Sequence, residues 1–248
     1  MTKTSTAMPL PVIIFDWDDT LLDAGQLLSQ TQAQAIDDIL KEKVLYPFSA
    51  SWQAPSQEML FQHAGHRFKE KILPRIMPQV DCENPTHQQW MDDTYLRFKK
   101  YYQQAQKKLF PGVVDMLKAL KQAGYTLCIA SNKSRDLLED ELRATSIEGL
   151  FTHVMAGDDS VLNKNVKPAP NMINQIQAEF MPDTLFVMVG DRPYDVQAAR
   201  ASKAKSQTHT IGILTKKSFT LDADIEITEA AHITDQLIST LVHKKTHA

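Results

Sequence analysis

Five short apolar runs, at residues 12–15, 126–130, 153–156, 185–189 and 210–214, constrain this chain more than any other feature. From the second run onward they alternate with single stretches of helical spacing, at residues 113–123, 135–145, 171–180 and 195–201. A strand that is apolar along its whole length must be covered on both sides, and strands alternating with helices form βαβ units. The pattern therefore predicts an α/β fold, a doubly wound parallel sheet with helices on both faces. A weaker run at residues 225–227 and a helix over about residues 230–242 close it. The alternation is broken once, just after the first run. Residues 26–108 hold no strand pattern and read as helix over 26–43, 56–72 and 87–107, with loops at Pro47, Pro55, Pro74, Pro78 and Pro85. The expected division is a core of residues 1–23 and 107–248 with an all-helical domain inserted at 24–106.

The first run ends in Asp16-Trp17-Asp18-Asp19-Thr20. Ligands of open α/β sheets bind at the carboxyl ends of the strands. Two aspartates one residue apart on such a turn share a small volume, where their repulsion calls for a cation; an acidic turn that caps the next helix is the plainer alternative. The other strand ends decide between them. The second run leads into Ser131-Asn132-Lys133, a hydroxyl and backbone N–H groups at a helix start, which suits an anion. After the third comes Lys167-Pro168-Ala169-Pro170, a lysine ahead of a helix whose first turn accommodates proline. The fourth opens onto Gly190-Asp191-Arg192-Pro193-Tyr194-Asp195, a second acidic turn. Acid, hydroxyl, lysine and acid at successive strand ends are not a chance arrangement.

Composition removes other classes. The chain has 8 glycines in 248 residues and no G-x-G, so neither the dinucleotide fingerprint nor the glycine-rich phosphate loop is present. A net charge of -3 leaves no electrostatic footprint for nucleic acid. No apolar run approaches the roughly 18 residues of a membrane span, and the N-terminal stretch is too short for a signal peptide. Cys82 and Cys128 are far apart, the second inside an apolar run, which points to a reduced, cytoplasmic protein.

Together these segments resemble the four motifs of the haloacid dehalogenase (HAD) superfamily of hydrolases: DxDx[TV] at Asp16-Trp17-Asp18-Asp19-Thr20, a serine at Ser131, a lysine at Lys167, and GDxxxD from Gly190-Asp191 to Asp195. The likeness extends to Leu109-Phe110-Pro111-Gly112-Val113 and to Asp195-Val196-Gln197-Ala198-Ala199-Arg200-Ala201. The helical insertion falls where phosphoglycolate phosphatase-like and β-phosphoglucomutase-like members carry their cap. The chain departs from the pattern at Asp19, where capped relatives commonly have glycine, and at residues 201–209, which replace a short turn.

The resemblance implies a Mg2+-dependent phosphatase acting on a small phosphorylated metabolite through an aspartyl-phosphate. Asp16 would be the nucleophile and Asp18 the proton donor and acceptor. Mg2+ would be held by Asp16, the backbone carbonyl of Asp18 and Asp191, while the Lys167 ammonium offsets phosphate charge. Asp195 would support the metal through water or orient Lys167, with Thr20 also in support. Ser131 and the N–H of Asn132 would hold phosphate oxygens, as would the turn around Trp17 and Asp18. Position 18 is Tyr in dehalogenating relatives, Ala in phosphonate hydrolases and Thr in ion-pumping ATPases; Asp there favours phosphate esters. A phosphomutase using the same two aspartates and a non-catalytic phosphate-binding regulatory protein are the alternatives, though the latter would usually have lost Asp16, Asp18 or Lys167. The implied protein is a monomer or small homo-oligomer with no nucleic-acid or membrane partner.

Weaker signals lie elsewhere. The segment Gly65-His66-Arg67-Phe68-Lys69-Glu70 resembles the specificity loop of capped relatives, with His66 and Arg67 as candidate contacts to the leaving group and a solvated helix face as the alternative. His63 and His66 read as a surface pair, Trp52 and Trp90 as packing inside the insertion, and Arg135 and Arg192 as solvated.

Overall fold

The computed structural model describes residues 10–42, 45–46, 52–63, 68–162, 165–214 and 220–244. Strands β1 (Val12–Phe15), β2 (Thr126–Ala130), β3 (His153–Met155), β4 (Phe186–Gly190), β5 (Thr208–Ile213) and β6 (Ile225–Ile227) form one sheet in the order β3-β2-β1-β4-β5-β6. Every pairing is parallel. Helices α5 (Val113–Gln122), α6 (Arg135–Thr145), α7 (Asn171–Gln177), α8 (Pro193–Arg200) and α9 (Asp235–Lys244) cover it.

Alternate strand residues part to the two faces. Ile13, Phe15, Leu127, Ile129, Val187 and Val189 join Leu117 of α5, Leu138 of α6 and Ile238 of α9 in one apolar cluster. Val12, Ile14, Cys128 and Met188 join Met172, Ile173 and Ile176 of α7 and Ala198 and Ala199 of α8 in another. Each fully buried aliphatic side chain contributes about 1.5–3 kcal/mol, which is why strands of this kind carry no polar alternation. The doubly wound α/β sheet is as the sequence predicts.

Between β1 and α5 lie α1 (Gly25–Leu40), α2 (Gln57–His63), α3 (Leu73–Ile76) and α4 (Pro85–Gln104), with no strand among the described residues. α1 packs along α4, and Trp90 is fully buried with Trp52 edge-on to it at 5.1 Å. The two ends of this helical segment lie side by side: Asp23 N–H donates to Lys108 O and Phe110 N–H to Leu21 O, each at 2.9 Å.

Several expected boundaries move. Within residues 56–72, expected as one helix, the described residues form α2 and a π-helical turn at Phe68–Ile72 that runs into α3. Pro74 and Pro85, expected in loops, instead occupy the first turns of α3 and α4, where a missing N–H costs nothing. Asn84 caps α4, its Oδ1 accepting from Thr86 N–H at 2.9 Å and His87 N–H at 3.3 Å. β5 begins at Thr208 rather than 210. Thr208, His209 and Thr210 are polar yet buried, because Gln177 donates to Thr208 Oγ1 at 3.0 Å and Thr210 N–H donates to Asp224 at 2.8 Å. The last helix starts at Asp235; residues Ala230–His232 form a separate 3-10 turn.

Candidate active site

The sheet order reverses around β1, which lies between β2 and β4. In an open α/β sheet the crevice beyond the strand ends at such a point is where ligands bind. Phe15 stands opposite both Ile129 and Val189, so the residues that follow, Asp16, Ser131 and Asp191, emerge at one edge.

Lys167 joins the two acidic turns. Its Nζ lies 2.7 Å from Asp16 Oδ1 and 2.7 Å from Asp195 Oδ1, and all three side chains are buried. Burial alone would lower the Lys167 pKa, but Asp16 and Asp195 outweigh it and hold the ammonium above its ordinary value. Burial pushes the Asp195 carboxyl up to about 7 against the opposing pull of Lys167. Asp195 also accepts from Arg192 N–H at 3.0 Å, closing the first turn of α8. Gly190 makes that approach feasible, since a Cβ there would run into the Asp195 carboxylate.

Asp16, Asp191 and Asp195 each place a carboxylate oxygen within 4.8 Å of the others. Burial, then the charge of Asp16, raises the Asp191 carboxyl well above its ordinary value. Asp191 Oδ2 is buried without a hydrogen bond, with Arg192 Nε at 3.3 Å. Three crowded, dry carboxylates with an orphaned oxygen are a donor set of hard oxygens that fits a divalent cation. Thr20 Oγ1 lies 3.4 Å from Asp191 Oδ1, on the rim of the same cluster.

Asn132 ties the second motif to the third: its Nδ2 donates to Lys167 O and its Oδ1 accepts from Lys167 N–H, both at 3.0 Å. Ser131 Oγ accepts from Lys133 N–H at 3.2 Å, at the mouth of the loop into α6. Asp19 occupies the left-handed region at φ 60, the conformation for which glycine is favoured, and its Oδ1 accepts from Gly25 N–H at 2.7 Å at the start of α1.

Asp18 is not one of the three clustered carboxylates. Its Oδ1 accepts from Lys133 Nζ at 2.6 Å, and burial pushes its carboxyl up to about 7 although Lys133 opposes the shift. Asp18 lines a cavity of about 300 Å³ walled by Phe68, Leu28 of α1, Tyr95 and Phe98 of α4, and Leu137 of α6. His66 and Arg67 lie outside the described residues. His63 is half-buried and its Nδ1 lies 2.9 Å from Met59 O. Arg192, expected to be solvated, is instead buried beside Asp191, while Arg135 pairs with Asp159 at 2.6 Å.

Sequence reasoning overlooked Lys133, Glu141, Tyr102 and the indole of Trp17, which meet around Asp18. One signal was available: Glu141 falls on the apolar face of α6 with Leu137, Leu138 and Leu142, and a carboxylate at a core position requires a partner.

Residues 13–209 match the family model described as haloacid dehalogenase-like hydrolase. The chain belongs to that family. Among the haloacid dehalogenase-like hydrolases it is similar to a phosphoglycolate phosphatase of Agrobacterium fabrum, 27% identical over 96% of this chain and 97% of the relative. It is also similar to a phosphoglycolate phosphatase of Salmonella choleraesuis, 30% identical over 81% of each. The fold matches the crystal structure of a predicted phosphoglycolate phosphatase from Haemophilus somnus with a TM-score of 0.73 at 20% identity, covering 94% of this chain and 100% of that one.

Proposed function

We propose that this hydrolase is a phosphatase of small-molecule phosphomonoesters, working through an aspartyl-phosphate on Asp16. The observation that carries the reading is the joining of Asp16 to Lys167 at 2.7 Å in a buried acidic cluster, with Asp18 on the cavity wall beside Lys133. In the first step an Asp16 oxygen bonds to phosphorus as the bond to the leaving oxygen breaks, and Asp18 gives that oxygen a proton. In the second, water attacks the phosphorus and passes a proton to Asp18, which frees phosphate and restores Asp16. Asp16, Asp191 and the backbone carbonyl of Asp18 would hold Mg2+, which when bound offsets the negative charge of phosphate and nucleophile. Asp195 fixes Lys167, and Thr20 steadies Asp191. Ser131 and the N–H of Asn132 would take the phosphate oxygens.

The names of the relatives make phosphoglycolate the first substrate to test, with sugar phosphates and nucleotides next. His66 and Arg67 remain the candidate contacts to the leaving group. No helix among the described residues is long and apolar enough to cross a membrane, in keeping with a soluble metabolite as the substrate. Purified protein with Mg2+ should release phosphate from 4-nitrophenyl phosphate and from part of a metabolite panel, and Asp16→Asn should reduce release to background while circular dichroism stays unchanged. Absence of release from every compound would overturn the proposal.

A further inference from the structure

Lys133 Nζ lies 2.6 Å from Asp18 Oδ1, 2.6 Å from each oxygen of Glu141 and 3.0 Å from the Tyr102 hydroxyl. An ammonium has three protons, and here each has a destination. The Tyr102 hydroxyl accepts from Lys133 and donates to Glu141. Glu141 also accepts from the Trp17 indole at 2.6 Å. Lys133, Glu141, Tyr102 and Trp17 are all buried, so none of these groups exchanges its partner for water at low cost. The network draws on three parts of the chain: the loop after β1, α6 with the loop that precedes it, and the last turn of α4 in the insertion.

From this geometry we infer that Lys133, braced by Glu141 and Tyr102, is a positioning residue that aims Asp18 into the cavity, and that the insertion takes part in setting the aim through Tyr102. The inference rests on the phosphatase reading, in which Asp18 exchanges a proton with the leaving oxygen. A direct hold on substrate phosphate by Lys133 is the competing role, and the full commitment of its three protons argues against it. Fixing one oxygen of Asp18 leaves the other for proton exchange. An unbraced aspartate would have to give up its rotamer freedom at each turnover.

The leaving group separates these roles. 4-Nitrophenolate departs without a proton, whereas an alkoxide needs one, so loss of Asp18 alignment must weigh on alkyl esters. The test compares kcat/KM for 4-nitrophenyl phosphate with that for an alkyl phosphomonoester that the full chain hydrolyses. Asp18→Asn sets the expected signature, and Lys133→Met should share it, with at least a tenfold greater loss on the alkyl ester. Lys133→Met strands the buried Glu141 carboxylate. The paired change Lys133→Met with Glu141→Gln, and Tyr102→Phe, therefore carry the same comparison without a stranded charge, Tyr102→Phe with a shift of a few fold. Equal losses on both esters in these variants would overturn the positioning role. Absence of turnover by the wild type on either ester would instead remove the phosphatase reading on which the inference rests.

Discussion

The side-chain amide of Asn132 binds the backbone of Lys167 on both sides, donating to its carbonyl and accepting from its N–H at 3.0 Å each. These residues come from loops 35 positions apart, and the contact fixes where the Lys167 side chain begins. Asn132→Ala would leave a donor and an acceptor without partners, at about 1–3 kcal/mol. Urea titration should show that loss of stability. Asn132→Asp, which keeps the acceptor, should lose less.

Gly190 has no room for a side chain, because Asp195 packs against its Cα. Gly190→Ala should push Asp195 away from Lys167 and cost about 1–3 kcal/mol through overpacking. A fall in Tm together with loss of phosphate release is expected. An alanine variant as stable as wild type would show that the turn has room to adjust.

Asp16, Asp191 and Asp195 repel one another in a buried space, so a bound cation should stabilise the fold. A ligand at one hundred times its dissociation constant adds about 2.7 kcal/mol. Thermal unfolding should shift upward as Mg2+ is titrated into metal-free protein. Asp191→Asn removes a proposed ligand and part of the repulsion together, and should abolish the response without lowering the Tm of the metal-free form.

Cys82 is exposed and Cys128 buried in β2. Burial pushes the Cys128 thiol up to about 12, so the native state keeps its proton where the unfolded chain loses it. Stability from this group is complete below the ordinary thiol value of 9.0 and is lost as pH rises from there toward about 12. A thiol reagent at pH 8 should label Cys82 quickly and Cys128 only at the rate of unfolding. Fast labelling of both would contradict the buried position.

Most of the sheet and the corners of the site were legible because each depends on local pattern. An apolar run flanked by helical spacing is a buried parallel strand wherever it occurs, and the residues just beyond it emerge at the same edge. Asp16, Ser131 and Asp191 could therefore be placed from order alone, whereas Lys167, well past the end of β3, is held at that edge by the Asn132 amide. The start of β5 was hidden because Thr208 and His209 are polar, and Thr208 is buried with a partner, Gln177, from a distant segment. Asp19 was unreadable for a related reason: its orientation follows from a left-handed backbone and the N–H of Gly25.

The sequence by itself determined the βαβ alternation and the acid, hydroxyl, lysine and acid that follow the strands, since period and chain order suffice for these. Only the tertiary structure decided what each charged group faces. It turned Asp195 toward Lys167 and away from solvent, set Asp18 against Lys133, and brought Tyr102 and Glu141, 39 residues apart in the chain and on different helices, to that ammonium. The physical reason is that a buried charge is satisfied by whichever opposite charge folding brings near it, and such partners carry no periodic signature.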